Sequence, residues 1–141
     1  MDYHKSMKEY SRVKESFFLD NAFESCLINV DTSLGKKIKN INSNFFSFSS
    51  KQKNVDFFFD EKSVLHHDQK TYNLKNYSSS NFMQINLAMA LSLALISKLK
   101  INLKNVKNVL SPVGRFEKIE VIKEKYCVIY YAHTPIALET I

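Results

Sequence analysis

The chain has 141 residues, enough for one ordinary domain with a real core and too few for a three-domain enzyme. Its 45% hydrophobic and 24% charged content excludes a disordered chain. The net charge of +6 comes from lysines dispersed among Asn and Ser rather than from a compact basic block, which argues against nucleic acid as a partner.

The opening MDYHKSMKEY is polar and lacks the apolar core of a signal peptide, so a cytoplasmic location is expected. From Ser6 onward, Met7, Tyr10, Val13, Phe17 and Phe18 fall on one helical stripe with Lys and Glu elsewhere, which predicts a surface helix with a buried face. The apolar run SCLINV at residues 25–30 predicts a short strand, followed by a turn at 31–35 and a helical segment at 36–41. Residues 44–80 read as edge and hairpin strands of the same sheet, built on Phe45-Phe46-Ser47-Phe48, Val55-Asp56-Phe57-Phe58-Phe59 and Lys70-Thr71-Tyr72-Asn73-Leu74. The adjacent His66 and His67 would point to opposite strand faces, with no carboxylate or cysteine cluster beside them, so no metal site is expected there.

Residues 82–99 are rich in Ala and Leu and apolar nearly all round, the pattern of a buried helix. Gln84, Asn86, Ser92, Ser97 and Lys98 interrupt it too often for a membrane span. A second short amphipathic helix is predicted at 102–110. Pro112, Gly114 and Arg115 then open a turn into 116–122, where apolar and charged residues alternate as in a strand with one wet face. After the charged turn Lys123-Glu124-Lys125, the run Tyr126-Cys127-Val128-Ile129-Tyr130 reads as a strand buried on both faces. Ala132 and His133 leave that strand, Thr134 suits a helix cap and Pro135 a first helical position. Cys26 and Cys127 lie in apolar strand-like runs without CxxC spacing and read as reduced core thiols.

Several of these segments carry a family pattern. Asp2, Tyr3, His4, Ser6, Met7, Tyr10, Lys14 and a Phe at 17 or 18 match Leu-Asp-Tyr-His-Gly-(Ser/Thr)-Met-x-x-Tyr-x-x-Ala-Lys-x-x-Leu-Phe. Asn29, Asp31 and Gly35 match Asn-x-Asp-Asp-x-x-Gly, with Thr32 replacing the second aspartate. Phe82 and Asn86 match Gly-x-Phe-Asn-x-x-Asn, with Ser80 for the glycine and Met83 for the first asparagine. GRFE at 114–117 and YYAHTPIALE at 130–139 resemble Gly-Arg-Met-Glu and Asp-Tyr-Ala-His-Thr-Pro-Asp-Ala-Leu-Glu, although Tyr130 and Ile136 replace two aspartates. Together these segments resemble the Mur ligase family, nearest its MurE branch, the ligases that add meso-diaminopimelate.

That resemblance implies an α/β fold: residues 1–111 as the C-terminal part of a central ATP-binding domain, a sheet with flanking helices, and 112–141 as the first strand-turn-helix of a Rossmann-like C-terminal domain. It implies an ATP-dependent, Mg2+-assisted ligase of peptidoglycan synthesis, acting on a UDP-N-acetylmuramoyl dipeptide and an amino acid through an acyl phosphate. Lys14 would be the carbamylated lysine that holds Mg2+, because a hard cation wants anionic oxygen ligands. Asn86, Arg115 and His133 would contact the nucleotide. The chain has only two glycines, Gly35 and Gly114, and neither opens a Gly-rich phosphate loop. A truncated ligase, inactive alone, is therefore expected, with a separately encoded P-loop half as a conceivable partner. Its rivals are a non-catalytic remnant, a folylpolyglutamate synthetase-like fragment and, more weakly, a small basic nucleic-acid binder.

Overall fold

The computed structural model describes residues 6–75, 77, 80–106 and 115–130. A helix, α1 (Met7–Leu19), precedes the strand β1 (Leu27–Asn29), the helix α2 (Ser33–Ile41) and the strand β2 (Phe46–Ser49). Then come β3 (Phe57–Phe59), β4 (Val64–His67) and β5 (Lys70–Asn73), the helices α3 (Asn81–Ile96) and α4 (Leu103–Val106), and the hairpin strands β6 (Arg115–Ile122) and β7 (Lys125–Tyr130).

Strands β1 to β5 form one sheet in sequence order, with β1, β2 and β3 parallel and the last two pairings antiparallel. Alternation along the strands sorts the apolar side chains to two faces. Leu27, Phe48, Phe57, Phe59 and Leu65 pack under Ala88 and Leu91 of α3. On the other face Ile28, Cys26, Val30 and Phe45 pack with Ile38 of α2, and Phe18 of α1 rests against them. The expected sheet with flanking helices is present, and β6 and β7 pair antiparallel as a separate two-stranded sheet.

Local chemistry places the turns. Ser6 caps α1, its hydroxyl accepting from the Glu9 amide at 3.2 Å. The chain returning from β2 to the parallel β3 is tied to β2 by Asp56, whose carboxylate accepts from the Ser47 amide at 2.7 Å and the Ser47 hydroxyl at 2.6 Å. Between β4 and β5 the turn residues Asp68 and Gln69 both have left-handed backbones, φ 46 and 61, as a two-residue hairpin turn requires. The buried Gln84 of α3 accepts from the Ser63 hydroxyl at 2.5 Å, which pins the helix to the β3–β4 turn.

Four expectations change. The stripe on α1 is not buried: no residue of that helix is, and only Phe18 reaches a core cluster. Helix α3 buries one stripe, Gln84, Ala88, Leu91 and Ser92, while Phe82 and Leu93 are exposed, because the sheet covers one side only. Strand β7, expected to be dry on both faces, has Tyr126, Val128 and Ile129 exposed, since β6 is its only neighbour among the described residues. Cys127 is therefore exposed, while Cys26 lies in the core as expected. The helix predicted at 102–110 is described only as α4, and the turn carrying Ala132, His133, Thr134 and Pro135 lies outside the described residues.

The tightest packing sits where α2 starts. A Cβ on Gly35 would fall 1.9 Å from the carbonyl oxygen of Asn29 and 2.9 Å from Oγ1 of Thr32, so only glycine lets the first turn of α2 close onto the end of β1. Helix propensity alone favours alanine there by about 1 kcal/mol. Gly35→Ala is nevertheless expected to destabilise the protein, by about 1–3 kcal/mol, because strand backbone cannot give way cheaply. Urea unfolding measures this, and a stabilised variant would contradict the close approach.

Candidate functional site

Ligands of open parallel sheets gather beyond the carboxyl ends of the strands, near helix N-termini. Here that rim is formed by the ends of β1 and β2 and the start of α2. Asp31 follows β1, and its carboxylate reaches across to the end of β2. It accepts from the Ser50 amide at 2.8 Å, the Ser50 hydroxyl at 3.0 Å and the Ser49 hydroxyl. The Asp31 amide donates to Oδ1 of Asn29 at 2.9 Å, so the Asn side chain fixes the bend that leaves the strand. Thr32 caps α2, accepting from the Gly35 amide at 3.0 Å and donating to the Asn29 carbonyl at 3.2 Å. The residue that replaces a family aspartate therefore has a structural use of its own.

Partial burial by itself pushes the Asp31 carboxyl up, but the hydrogen bonds from Ser49 and Ser50, with Lys51 nearby, outweigh it and hold the group below the ordinary carboxylate value. Asp56 is held low in the same way: burial raises it, and the Ser47 hydroxyl and amide with Lys39 lower it further. Both carboxylates are thus ionised at neutral pH and committed to protein donors, Asp31 on the rim and Asp56 at the opposite, amino end of β3 beside Ser47.

A groove of about 880 Å³ opens beside the antiparallel strands, lined among others by Lys51, Asp56, Phe58, Asp60, His66 and Lys70. His66 and His67 point to opposite faces as expected, stacking on Phe58 and Phe57 respectively. Each histidine has a single carboxylate beside it rather than a cluster. Nε2 of His66 lies 2.9 Å from Oδ2 of Asp60, and His67 lies 3.3 Å from Asp68. The Asp60 carboxylate is aimed by the Lys62 and Val64 amides, each 2.9 Å from Oδ1, because the β3–β4 turn folds back on itself. Burial raises the Asp60 carboxyl, and the bonds from His66, Val64 and Lys62 bring it below the usual range. Among the described residues no group of three or more His, Cys, Asp or Glu side chains is placed to hold a metal ion.

The residues singled out in the sequence lie as follows. Lys14 is exposed on α1, with Nζ 5.8 Å from the centre of the Tyr10 ring. Asn86 is exposed on α3, which covers the opposite face of the sheet from α2. The backbone of Arg115 opens β6, its side chain is outside the described atoms, and His133 lies outside the described residues. Sequence reasoning missed Ser49, Ser50, Asp56 and Asp60, whose partners are 18 or 19, 9 and 6 residues distant and meet only through the fold.

Because Asp31, Asp56 and Asp60 are all depressed in the folded protein, their contribution to stability is complete above the unfolded carboxylate value, about 3.9, and is lost as pH falls through the lower folded values. Asp31→Asn is expected to cost about 1–3 kcal/mol at neutral pH and to flatten part of the acid limb. Urea midpoints between neutral pH and pH 3 read both effects, and an unchanged acid limb would show that the Asp31 bonds are not made in solution.

No family model matches the chain. It is 29% identical over 150 residues to the UDP-N-acetylmuramoyl-L-alanyl-D-glutamate–2,6-diaminopimelate ligase of Aquifex aeolicus, a match covering 100% of this chain and 30% of that enzyme. The ligase of the same name from Fusobacterium nucleatum is 28% identical over 148 residues, with 98% of this chain and 30% of the relative covered. A solved structure of a ligase of that name superposes with a TM-score of 0.73 over 96% of this chain and 31% of its own, at 23% identity, which establishes the likeness of fold. The chain thus resembles the Mur ligases of the diaminopimelate-adding branch along nearly its whole length, and spans about 30% of the length of the curated relatives it matches.

Proposed function

We propose that the chain is an internal segment of a cytoplasmic, ATP-dependent amide-forming Mur ligase of peptidoglycan synthesis, and that it has no ligase activity by itself. The observation that carries this reading is the asymmetry of the match: all of this chain aligns with 30% of the Aquifex aeolicus ligase. In the complete scaffold ATP would phosphorylate the carboxylate of a UDP-N-acetylmuramoyl dipeptide. The amino group of diaminopimelate would then attack the acyl phosphate and release phosphate. A division near residue 111 into the end of a central domain and the start of a C-terminal one is supported by the separate sheet that β6 and β7 form.

Within that reading Asn86, Arg115 and His133 contact the nucleotide, and Lys14 contributes one anionic oxygen ligand once carbamylated. The described residues do not fit a magnesium site on their own, since no three carboxylate, histidine or cysteine side chains converge. Nor do they fit the ATP phosphates, because the two glycines open no phosphate loop: Gly35 is consumed by the contact of α2 with β1. Both groups would need ligands from residues other than the described ones. No helix among the described residues is long and apolar enough to cross a membrane. A non-catalytic remnant is the second reading, favoured by Tyr130 and Ile136 where the family pattern has aspartates.

The purified chain is expected to show no ATP-dependent consumption of a UDP-N-acetylmuramoyl dipeptide and diaminopimelate. Mixed with the remaining segments of the Aquifex aeolicus ligase, it is expected to restore turnover, which Lys14→Ala lowers by about 100-fold or more. Phosphate release measures both. Turnover by the chain alone refutes the first statement, and a mixture that stays inactive favours the remnant.

A further inference from the structure

Helix α2, SLGKKIKNI, carries three lysines and no acid. Two of the three are answered within the fold. Lys37 pairs with Glu15 at 2.7 Å, and Lys39 donates to the Ser43 carbonyl at 2.7 Å and to the Phe45 carbonyl, with the Asp56 carboxylate nearby. Lys36 has neither an ion pair nor a side-chain hydrogen bond among the described residues. It lines a pocket of about 270 Å³ between α2 and the loop joining β2 to β3, together with Lys39 and Asn40 of the helix and Gln52 and Asn54 of the loop. Among the described residues no carboxylate lines this pocket, and Val30 and Val55 give it an apolar wall. Like charges three residues apart on a helix repel, so Lys36 and Lys39 weaken α2 unless an anion lies near them. The loop is held in place by its own bonds: the Ser49 hydroxyl accepts from the Lys51 and Gln52 amides, both at 2.9 Å, and Ser50 is tied to Asp31. The side-chain amides of Asn40, Gln52 and Asn54 make no hydrogen bond among the described residues, so their donors are left for water or a ligand.

We propose that this pocket binds a phosphate group, with Lys36 as its charge partner and the amides of Asn40, Gln52 and Asn54 as further donors. A cation is disfavoured there by the Lys36 ammonium and by the lack of a lining carboxylate. Asp56 is the acid that opposes an anion, but its carboxylate is turned to the Ser47 amide and hydroxyl and its charge is set against Lys39, which leaves the charge of Lys36 unanswered. The volume lies below the roughly 300 Å³ at which pockets for drug-sized molecules begin, so the occupant is one small group or the end of a larger molecule. Donors on two separate segments outnumber what the two oxygens of a carboxylate can accept, whereas a tetrahedral phosphate presents oxygens to both. Because the loop is already fixed, little ordering is lost on binding. Inorganic phosphate and a phosphomonoester share this chemistry. The proposal does not draw on the ligase reading.

The test titrates the full chain with inorganic phosphate, methyl phosphate, acetate and chloride at matched ionic strength, following the side-chain amide signals of Asn40, Gln52 and Asn54 by nitrogen-15 NMR. Phosphate is expected to shift them saturably, and acetate and chloride are not. Lys36→Gln is expected to weaken phosphate binding by about tenfold, the scale of one charge-assisted hydrogen bond, and Asn54→Ala by roughly threefold. Lys62→Gln makes the same change of net charge outside the pocket and is expected to leave the affinity unchanged. Thermal melts without phosphate show that each variant is folded. Methyl phosphate binding as tightly as phosphate identifies a phosphomonoester and weaker binding identifies the free ion; either result upholds the pocket. No saturable shift overturns the proposal, as does an equal response to acetate. Equal shifts with chloride, or equal losses in Lys36→Gln and Lys62→Gln, mean an adventitious ion only and overturn it too. None of these readings involves turnover, so this proposal and the ligase reading fail separately.

Discussion

The end of β1 is the point on which the sheet depends. Within seven residues, from Asn29 to Gly35, the chain leaves a buried strand, turns, and starts a helix that packs back onto the same sheet. Three contacts make this possible: the Asn29 side chain on the Asp31 amide, the Thr32 cap on the Gly35 amide, and the absence of a Cβ where α2 meets the Asn29 carbonyl. The Asp31 carboxylate then binds the end of the neighbouring strand, so the turn also holds β1 and β2 together. A parallel pair has no hairpin to fix it, and this cross-strand clamp performs that task.

What could be read from the sequence was what is local or periodic. The strand at 27–29, the helix after Asp31, the apolar helix α3 and the charged turn between β6 and β7 follow from hydrophobic runs and punctuation. The family pattern was legible because its residues are spaced within single elements. Harder to read was anything closed by the fold. The β4–β5 turn uses Asp68-Gln69 in place of an Asn-Gly pair. The Asp56 tie that brings β3 parallel to β2, and the Asp60 partner of His66, depend on turns whose geometry no spacing rule announces.

Burial was the other failure, and it has a consistent form. Apolar periodicity reports a face that is suited to burial, not what lies against it. In β1, β2 and α2 the covering element is present, and Ile28, Ile38 and Phe48 are dry. In α1 and β7 the same kind of residue is exposed, because no described element lies over it. The error marks where the apolar surface of this chain exceeds what its own described core can cover.

The hairpin makes the point most sharply. Across its register, Ile119 faces Cys127 and Glu117 faces Ile129 on one side, while Glu120 faces Tyr126 on the other. Apolar groups are thus carried on both sides of β7, the composition of a central strand with cover above and below. A lone two-stranded sheet is marginal in water, and its open edges invite pairing. The free energy that would make β7 rigid must come from neighbours that the described residues do not supply. The same holds for α1 at the other end of the chain. Between them stands a sheet with both faces packed, so an ordered centre carries two elements patterned for surfaces outside it.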